Sequence, residues 1–287
     1  MTSIYCYGDI MYEQHIFLEE NSGSNDTLVR EVKNKVGGSS FNTAKGLSEM
    51  GHNVSLICSI GKDFEGKYIK EELLQYSNIK TDFVDFSNFE TAKVFAIVNN
   101  LNDHKFLSFR CKNIKLKNII EKIEFYKNDI LNISGYSFQD HYSRSISYRL
   151  IEKCITNSAF LLIDPSLNYA KNFNKIKNFY PIDYFFPNQE EASIISRVDD
   201  YIEAAKILHT KNIKNVLITL GGIGCYFSNS EHKKLYKLES SHNHSLTIGA
   251  GDNFVAGFIS AKVKNLSIEE CINNANKSAI DYLNSNN

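Results

Sequence analysis

The chain is 287 residues long and 43% hydrophobic, enough for a sizeable core in one large or two ordinary domains at roughly 150 residues each. Its 32 Lys and Arg against 33 Asp and Glu leave a net charge of -1, which argues against a dedicated nucleic-acid binder, a class expected to carry a basic excess. No apolar run approaches the roughly 20 residues that span a bilayer.

In chain order, Met1–Tyr7 lacks the basic and apolar regions of a signal peptide. Ser3–Tyr7 reads as a short strand running into Gly8-Asp9. From Gln14 to Val36 an extended run, a polar turn at Asn21–Asp26 and a second run at Thr27–Val32 follow. Ser40–Met50 is an amphipathic helix, Asn53–Ile60 a strand and Glu65–Tyr76 a helix. Thr91–Cys111 reads as a hairpin: Lys93–Val98, a turn at Asn99–Asp103, then Lys105–Arg110. Beyond it come strand Ile130–Ile133, helix Arg144–Thr156, strands Ala159–Ile163 and Tyr184–Phe186, helix Ile202–His209, strand Val216–Thr219 and helix Asp252–Val263.

Strands alternating with helices predict an α/β fold, a parallel sheet with helices on both faces. The extended runs around 14–36 and 91–111 interrupt this rhythm. They predict a small separate sheet forming a lid, the alternative being an antiparallel edge of the main sheet. There is no internal repeat, low-complexity tract or linker. Six scattered cysteines without a Cys-x-x-Cys pair read as buried free thiols of a reducing cytoplasm.

Ligands of an open α/β sheet collect at the carboxyl ends of its strands. Five glycine- or acid-bearing segments stand at such places. Gly8-Asp9-Ile10-Met11-Tyr12-Glu13 offers carboxylates to a polyhydroxylated ligand, although turns often hold Gly-Asp. Gly37-Gly38 precedes a helix whose first turn carries Asn42, an amide that donates and accepts; a capping turn explains the glycines equally well. Asn188-Gln189-Glu190-Glu191 offers acids that suit Mg²⁺ through water, and suits a helix N-terminus as well. Thr219-Leu220-Gly221-Gly222-Ile223-Gly224 can pass close to a nucleotide, turn a hairpin into Cys225–Phe227, or both.

The fifth segment is Gly249-Ala250-Gly251-Asp252, opening a helix whose Phe254, Phe258 and Ala261 share one face. Helix-start N–H groups and the positive dipole end attract an anion. A carboxylate beside such an anion suits removal of a proton from a group attacking it, which is the layout of phosphoryl transfer; a capped helix alone would also carry an acid there. The chain has no Walker A sequence, no Gly-x-Gly-x-x-Gly after the first strand and no Gly-x-Ser-x-Gly elbow. His242-Asn243-His244 reads as plain surface.

Taken in order, Gly-Gly-x-x-x-Asn-x-Ala, Asn-x-x-Glu, Thr-x-Gly-x-x-Gly and Gly-Ala-Gly-Asp resemble the PfkB, or ribokinase-like, family of sugar and nucleoside kinases from Gly8 to about Ala279. The resemblance implies a single unit over 1–287: a three-layer α/β/α core with a mostly parallel sheet and a β lid inserted at about 14–36 and 91–111. It implies ATP and Mg²⁺ as cofactors and a sugar or small polyol as acceptor. By the same resemblance Asp252 is the base, and Gly249, Ala250 and Gly251 shape the anion hole. Asn188, Thr219, Gly221 and Gly224 lie along the nucleotide, with Glu191 at the metal. Asp9, Glu13, Gly37, Gly38, Asn42 and Arg110 face the acceptor.

Charge, hydropathy and cysteine usage predict a cytoplasmic protein without nucleic-acid or membrane partners. The resemblance leaves the oligomeric state open, with a homodimer through the lid as one arrangement that it implies. Three positions depart from the family pattern: Leu246 in place of an Asp, Glu13 in place of an Asp, and Asp164-Pro165-Ser166 in place of Asp-x-Asn. A kinase of a phosphosugar or nucleoside, with Arg110 and Lys112 as candidate cations, and a non-catalytic binder with the same fold are the alternatives.

Overall fold

The computed structural model describes residues 2–19, 28–99, 104–110, 116–176, 180–238 and 248–286. Its elements in chain order are β1 (Ile4–Tyr7), β2 (Met11–Leu18), β3 (Val29–Gly37), α1 (Ser39–Glu49), β4 (Val54–Gly61), α2 (Phe64–Leu73), β5 (Ile79–Lys80), β6 (Val84–Ser87), β7 (Lys93–Val98), β8 (His104–Phe109) and α3 (Leu116–Ile120). They continue with β9 (Ile130–Ser134), α4 (His141–Thr156), β10 (Phe160–Asp164), α5 (Leu167–Asn172), β11 (Ile182–Phe185), α6 (Gln189–Ser196), α7 (Tyr201–His209), β12 (Ile213–Thr219), β13 (Gly224–Ser228), β14 (Lys233–Lys237), α8 (Ala250–Val263) and α9 (Ile268–Asn286).

The main sheet runs β14-β13-β12-β11-β10-β9-β1-β4-β5, with β6 also paired to β4. All pairings from β12 through β4 and on to β5 and β6 are parallel, whereas β13 and β14 form an antiparallel edge. Side chains alternate across each strand, so the sheet divides the core in two. Tyr5 and Tyr7 of β1 join one cluster, with Leu150 of α4 and Leu208 of α7. Ile4 and Cys6 join the other, with Leu47 of α1, Phe258 of α8 and Ile272 of α9. Helices on both faces complete the expected three layers.

The interrupting segments make a sheet of their own, ordered β3-β2-β7-β8, and not an edge of the main one. Its two hairpins meet through the parallel pair β2 and β7. The turn at Asn21–Asp26 and most of that at Asn99–Asp103 lie outside the described residues.

Boundaries moved where caps act. Asp140 accepts hydrogen bonds from the N–H groups of Tyr142 and Ser143, so α4 starts at His141, three residues before the expected Arg144. Helix α2 ends at Leu73, short of the expected Tyr76, and turns at Gln75 and Tyr76 close it. Five cysteines are free and buried, as expected, while Cys111 lies outside the described residues.

Candidate active site

The carboxyl ends of β1, β9, β10 and β11 open on one side of the sheet. The chain leaves β1 for β4 on one flank and returns to β9 on the other, making a topological switch point. A cavity of about 390 Å³ lies there. Asp9, Tyr136, Asp164 and Asn188 reach it from strand ends, Asn42 from α1, and Gly249, Gly251 and Asp252 from the start of α8. The small sheet supplies the opposite wall through Glu13, Val94, Phe106 and Arg110.

Helix α8 begins without a side-chain cap, after Gly249 at φ 86°. That left-handed turn lets the chain enter the helix at once, and only glycine adopts it without strain. The glycine is also crowded from behind, since a Cβ there would stand 2.7 Å from the Tyr282 hydroxyl. The first N–H groups of the helix, from Ala250 onward, have no carbonyl within the helix to bond. A Cβ at Gly251 would meet nothing within 4 Å, so the cavity side of this turn is open.

Asp252 is half-buried beside these N–H groups. Asn42 Nδ2 donates to Asp252 Oδ2 at 2.8 Å, and Thr43 Oγ1 donates to the Asp252 carbonyl at 3.3 Å, so α1 fixes the acid. Burial raises the Asp252 pKa to about 6, against the lowering hydrogen bonds from Asn42 and Ser39.

Two more acids stand close by. Burial, then the charges of Asp252 and Glu191, hold Asp164 well above the usual carboxylate range, and only Ser39, donating at 3.2 Å, opposes them. Glu191 and Asn188 cap α6 reciprocally: the Asn188 side chain accepts from the Glu191 N–H at 2.8 Å, and the Glu191 side chain accepts from the Asn188 N–H at 3.0 Å. Burial nevertheless lifts Glu191 to about 7. The Asn188–Glu191 segment is therefore both a helix start and part of the cavity. A smaller space of about 90 Å³ continues past Asp164 and Glu191 to Thr219 and Gly251.

On the small-sheet wall, Glu13 lies 3.2 Å from His15 and 3.6 Å from Lys35. Gly37 leaves room for it, because a Cβ there would stand 2.0 Å from Glu13 Oε1. Arg110 ion-pairs with Asp9 across the cavity, and its guanidinium sits 4.2 Å from the centre of the Tyr136 ring. Over the cavity, the small sheet and the core therefore meet through a charge pair and a cation–π contact, both made by Arg110.

Of the residues assigned from sequence, the larger cavity gathers Asp9, Glu13, Gly38, Asn42, Arg110, Asn188, Glu191, Gly249, Gly251 and Asp252, and the smaller adds Thr219. Ala250 is the first residue of α8. Gly37, Gly221 and Gly224 line neither space. Gly224 is buried in the β12–β13 turn at φ 122°, where a Cβ would stand 2.1 Å from the Tyr236 carbonyl oxygen, so its backbone accounts for it. Ser166 lines the cavity and also caps α5 through the Tyr169 N–H. Leu246, Lys112, His242 and His244 lie outside the described residues. Sequence reasoning left Ser39, Tyr136 and Asp164 out of the site. Asp164 ends β10, and the strand-end rule alone could have placed it there.

The profile described as pfkB family carbohydrate kinase matches residues 1–280. The chain is 26% identical over 231 residues to an uncharacterized sugar kinase of Archaeoglobus fulgidus, covering 79% of this chain and 89% of that one. It is 24% identical over 250 residues to a ribokinase of Haemophilus influenzae, covering 82% and 77%. The crystal structure of a Methanocaldococcus jannaschii nucleoside kinase superposes with a TM-score of 0.76 at 20% identity, over 97% of this chain and 90% of that one. With a profile match along nearly its whole length and the same fold in its neighbours, the chain belongs to the pfkB family of carbohydrate kinases.

Proposed function

We propose that the chain transfers the γ-phosphoryl group of ATP to a hydroxyl of a sugar or small polyol. The observation that carries this reading is Asp252, held by Asn42 beside the uncapped N-terminus of α8 inside the cavity. Transfer needs alignment, charge stabilisation and a group to orient and deprotonate the attacking hydroxyl. Asp252 takes that proton as the new O–P bond forms. The N–H groups of Ala250 and Gly251 stabilise charge on the phosphoryl oxygens. Asp9, Glu13, Gly38, Asn42 and Arg110 hold the acceptor, while Asn188 and Thr219 face the nucleotide. The segment 1–287 acts as one unit, with the lid at 14–36 and 91–111 excluding water from the transfer.

Asp164 and Glu191 fit Mg²⁺, since they offer only hard oxygen donors and their mutual charge favours a cation between them. Among the described residues no three His, Cys, Asp or Glu side chains converge on one metal position, which suits an ion held mainly by water and phosphate. When bound, Mg²⁺ would neutralise phosphate charge.

Arg110 favours an uncharged acceptor over a phosphosugar. Its charge is already engaged by Asp9, and a phosphate that captured it would leave Asp9 uncompensated in the cavity. A diol can bond both partners and leave the pair intact.

The test is ATP consumption measured over a panel of sugars, phosphosugars and nucleosides, with Asp252→Asn as the blank. Turnover is expected with an uncharged polyol, falling about 10²–10⁴-fold in the variant with ATP binding retained. Near-normal turnover in Asp252→Asn would remove the assignment of the base.

A further inference from the structure

We propose that Asp63 and Thr91, which line neither space of the site, are positioning residues for the acceptor. Together they pin the point where strand β7 leaves the core, and so set where the lid wall stands over the cavity.

Three chain segments meet there: the end of β4 at Gly61, the start of α2 at Asp63 and the approach to β7 at Thr91. Asp63 Oδ1 accepts from the Gly66 N–H at 2.9 Å and from Thr91 Oγ1 at 2.5 Å, while Oδ2 accepts from the Thr91 N–H at 2.8 Å. Thr91 Oγ1 in turn accepts from the Gly61 N–H at 3.0 Å. One hydroxyl therefore gives its proton to the helix cap and its lone pair to the core strand, and it is fully buried while doing so.

Backbones touch around it. A Cβ at Gly66 would stand 2.0 Å from the Gly61 carbonyl oxygen, and one at Gly61 would stand 2.6 Å from Thr91 Oγ1. Burial pushes the Asp63 carboxyl up, but the bonds from Thr91 and Gly66, with the charge of Lys93, outweigh it and hold the group below the usual range.

A helix cap requires only the bond to Gly66. The two bonds to Thr91 are surplus to that task, and they bind the residue two positions before β7. The neighbouring contacts run the same way. Ala92 accepts from the Tyr12 N–H of β2 at 2.9 Å, Lys93 pairs with Glu65 of α2 at 2.6 Å, and the Tyr12 and Tyr68 rings meet edge to face at 5.2 Å. From this pin β7 carries Val94 to the cavity wall, and its hairpin partner β8 leads to Arg110. A small change of angle at Thr91 is magnified along the hairpin, where Arg110 must still meet Asp9.

The pin stands on geometry alone, whereas its effect on the acceptor rests on the phosphoryl-transfer reading, and the experiment separates the two. Hydrogen exchange is measured on the protein alone for wild type, the near-isosteric Thr91→Val and Thr91→Ser, which restores the hydroxyl. KM for the acceptor and for ATP is measured on the same proteins. Thr91→Val is expected to speed exchange in β7 and β8 roughly tenfold with β9 and β10 unchanged, and Thr91→Ser to reverse it. The acceptor KM rises roughly tenfold while the ATP KM stays within about twofold.

Unchanged lid exchange, or a rise shared equally by β9, overturns the pin. Faster lid exchange with an unchanged acceptor KM, or equal effects on both substrates, overturns the positioning role. If wild type phosphorylates no acceptor, the kinase reading fails while the exchange data still decide the pin. If Thr91→Val does not fold, Asp63→Asn is read in the same way; it keeps an acceptor for Gly66 and loses the one for the Thr91 N–H.

Discussion

Asp252 illustrates how much of this site is settled between single side chains. Burial raises its pKa to about 6, so the free protein holds a carboxyl that is mostly ionised at neutral pH yet costly to ionise. As the proposed base, Asp252 must be deprotonated to act, so kcat/KM is expected to fall as pH drops through about 6. Asn42 lowers that pKa by donating to the ionised form. Asn42→Ala therefore moves the acid limb of the pH profile upward by about one unit and lowers activity roughly tenfold. An acid limb at the same pH in both proteins would show that another group controls it. The acid itself was legible in Gly-Ala-Gly-Asp. Its partner was legible only as an amide near a helix start, because the two lie 210 residues apart and only folding brings them together.

Among the elements, a cap set the start of α4 and turns set the end of α2, whereas composition hid whole elements. The apolar strands β1, β4, β9, β10 and β12 were plain in sequence because both of their faces are buried. Strand β14 was not, since three of its five residues are lysine. Helix α9 was also missed. Its apolar positions Ile268, Ile272, Ala275 and Ala279 follow helical spacing, but its asparagines are poor helix formers and mask the signal. The glycines after β12 looked alike in sequence, and their surroundings separate them. Gly224→Ala is expected to cost about 2–4 kcal/mol in denaturant unfolding, from its left-handed φ and the clash with Tyr236. Gly222→Ala meets nothing within 4 Å and is expected to change stability by less than about 0.5 kcal/mol. Equal effects at the two positions would argue against the turn as the reason for Gly224.

For the whole molecule, a sheet with one core on each face presents all its parallel strand ends to one side, and the small sheet stands over them. That small sheet exposes an apolar surface at its edges: Val29 and Val32 of β3 are 45% and 50% exposed, and Leu107 and Phe109 of β8 are 47% and 44% exposed. Exposed edge strands invite pairing with another chain. Two copies are expected to associate through their lids, with sedimentation equilibrium giving twice the chain mass and Val32→Glu with Leu107→Glu returning the single-chain mass. A single-chain mass for the unaltered protein would remove the dimer.

The sequence by itself determined the α/β class, the central strands β1, β4, β9, β10, β11 and β12 with helices between them, the two segments that interrupt this rhythm and most residues that meet at the strand ends. These depend on local patterns: apolar periodicity, glycine before helices and acids after strands. The pairing of the two interrupting segments into a separate sheet was decided by the tertiary structure. Tertiary structure decided the pairings that no local pattern contains. It joined Asn42 to Asp252, set Arg110 against Asp9 and Tyr136, gathered Asp164 beside Glu191, and gave Gly224 to a turn and not to the cavity. The physical reason is one of range. Backbone preference and amphipathicity act over a few residues, whereas charge, burial and hydrogen bonding act between whatever groups the sheet order places side by side.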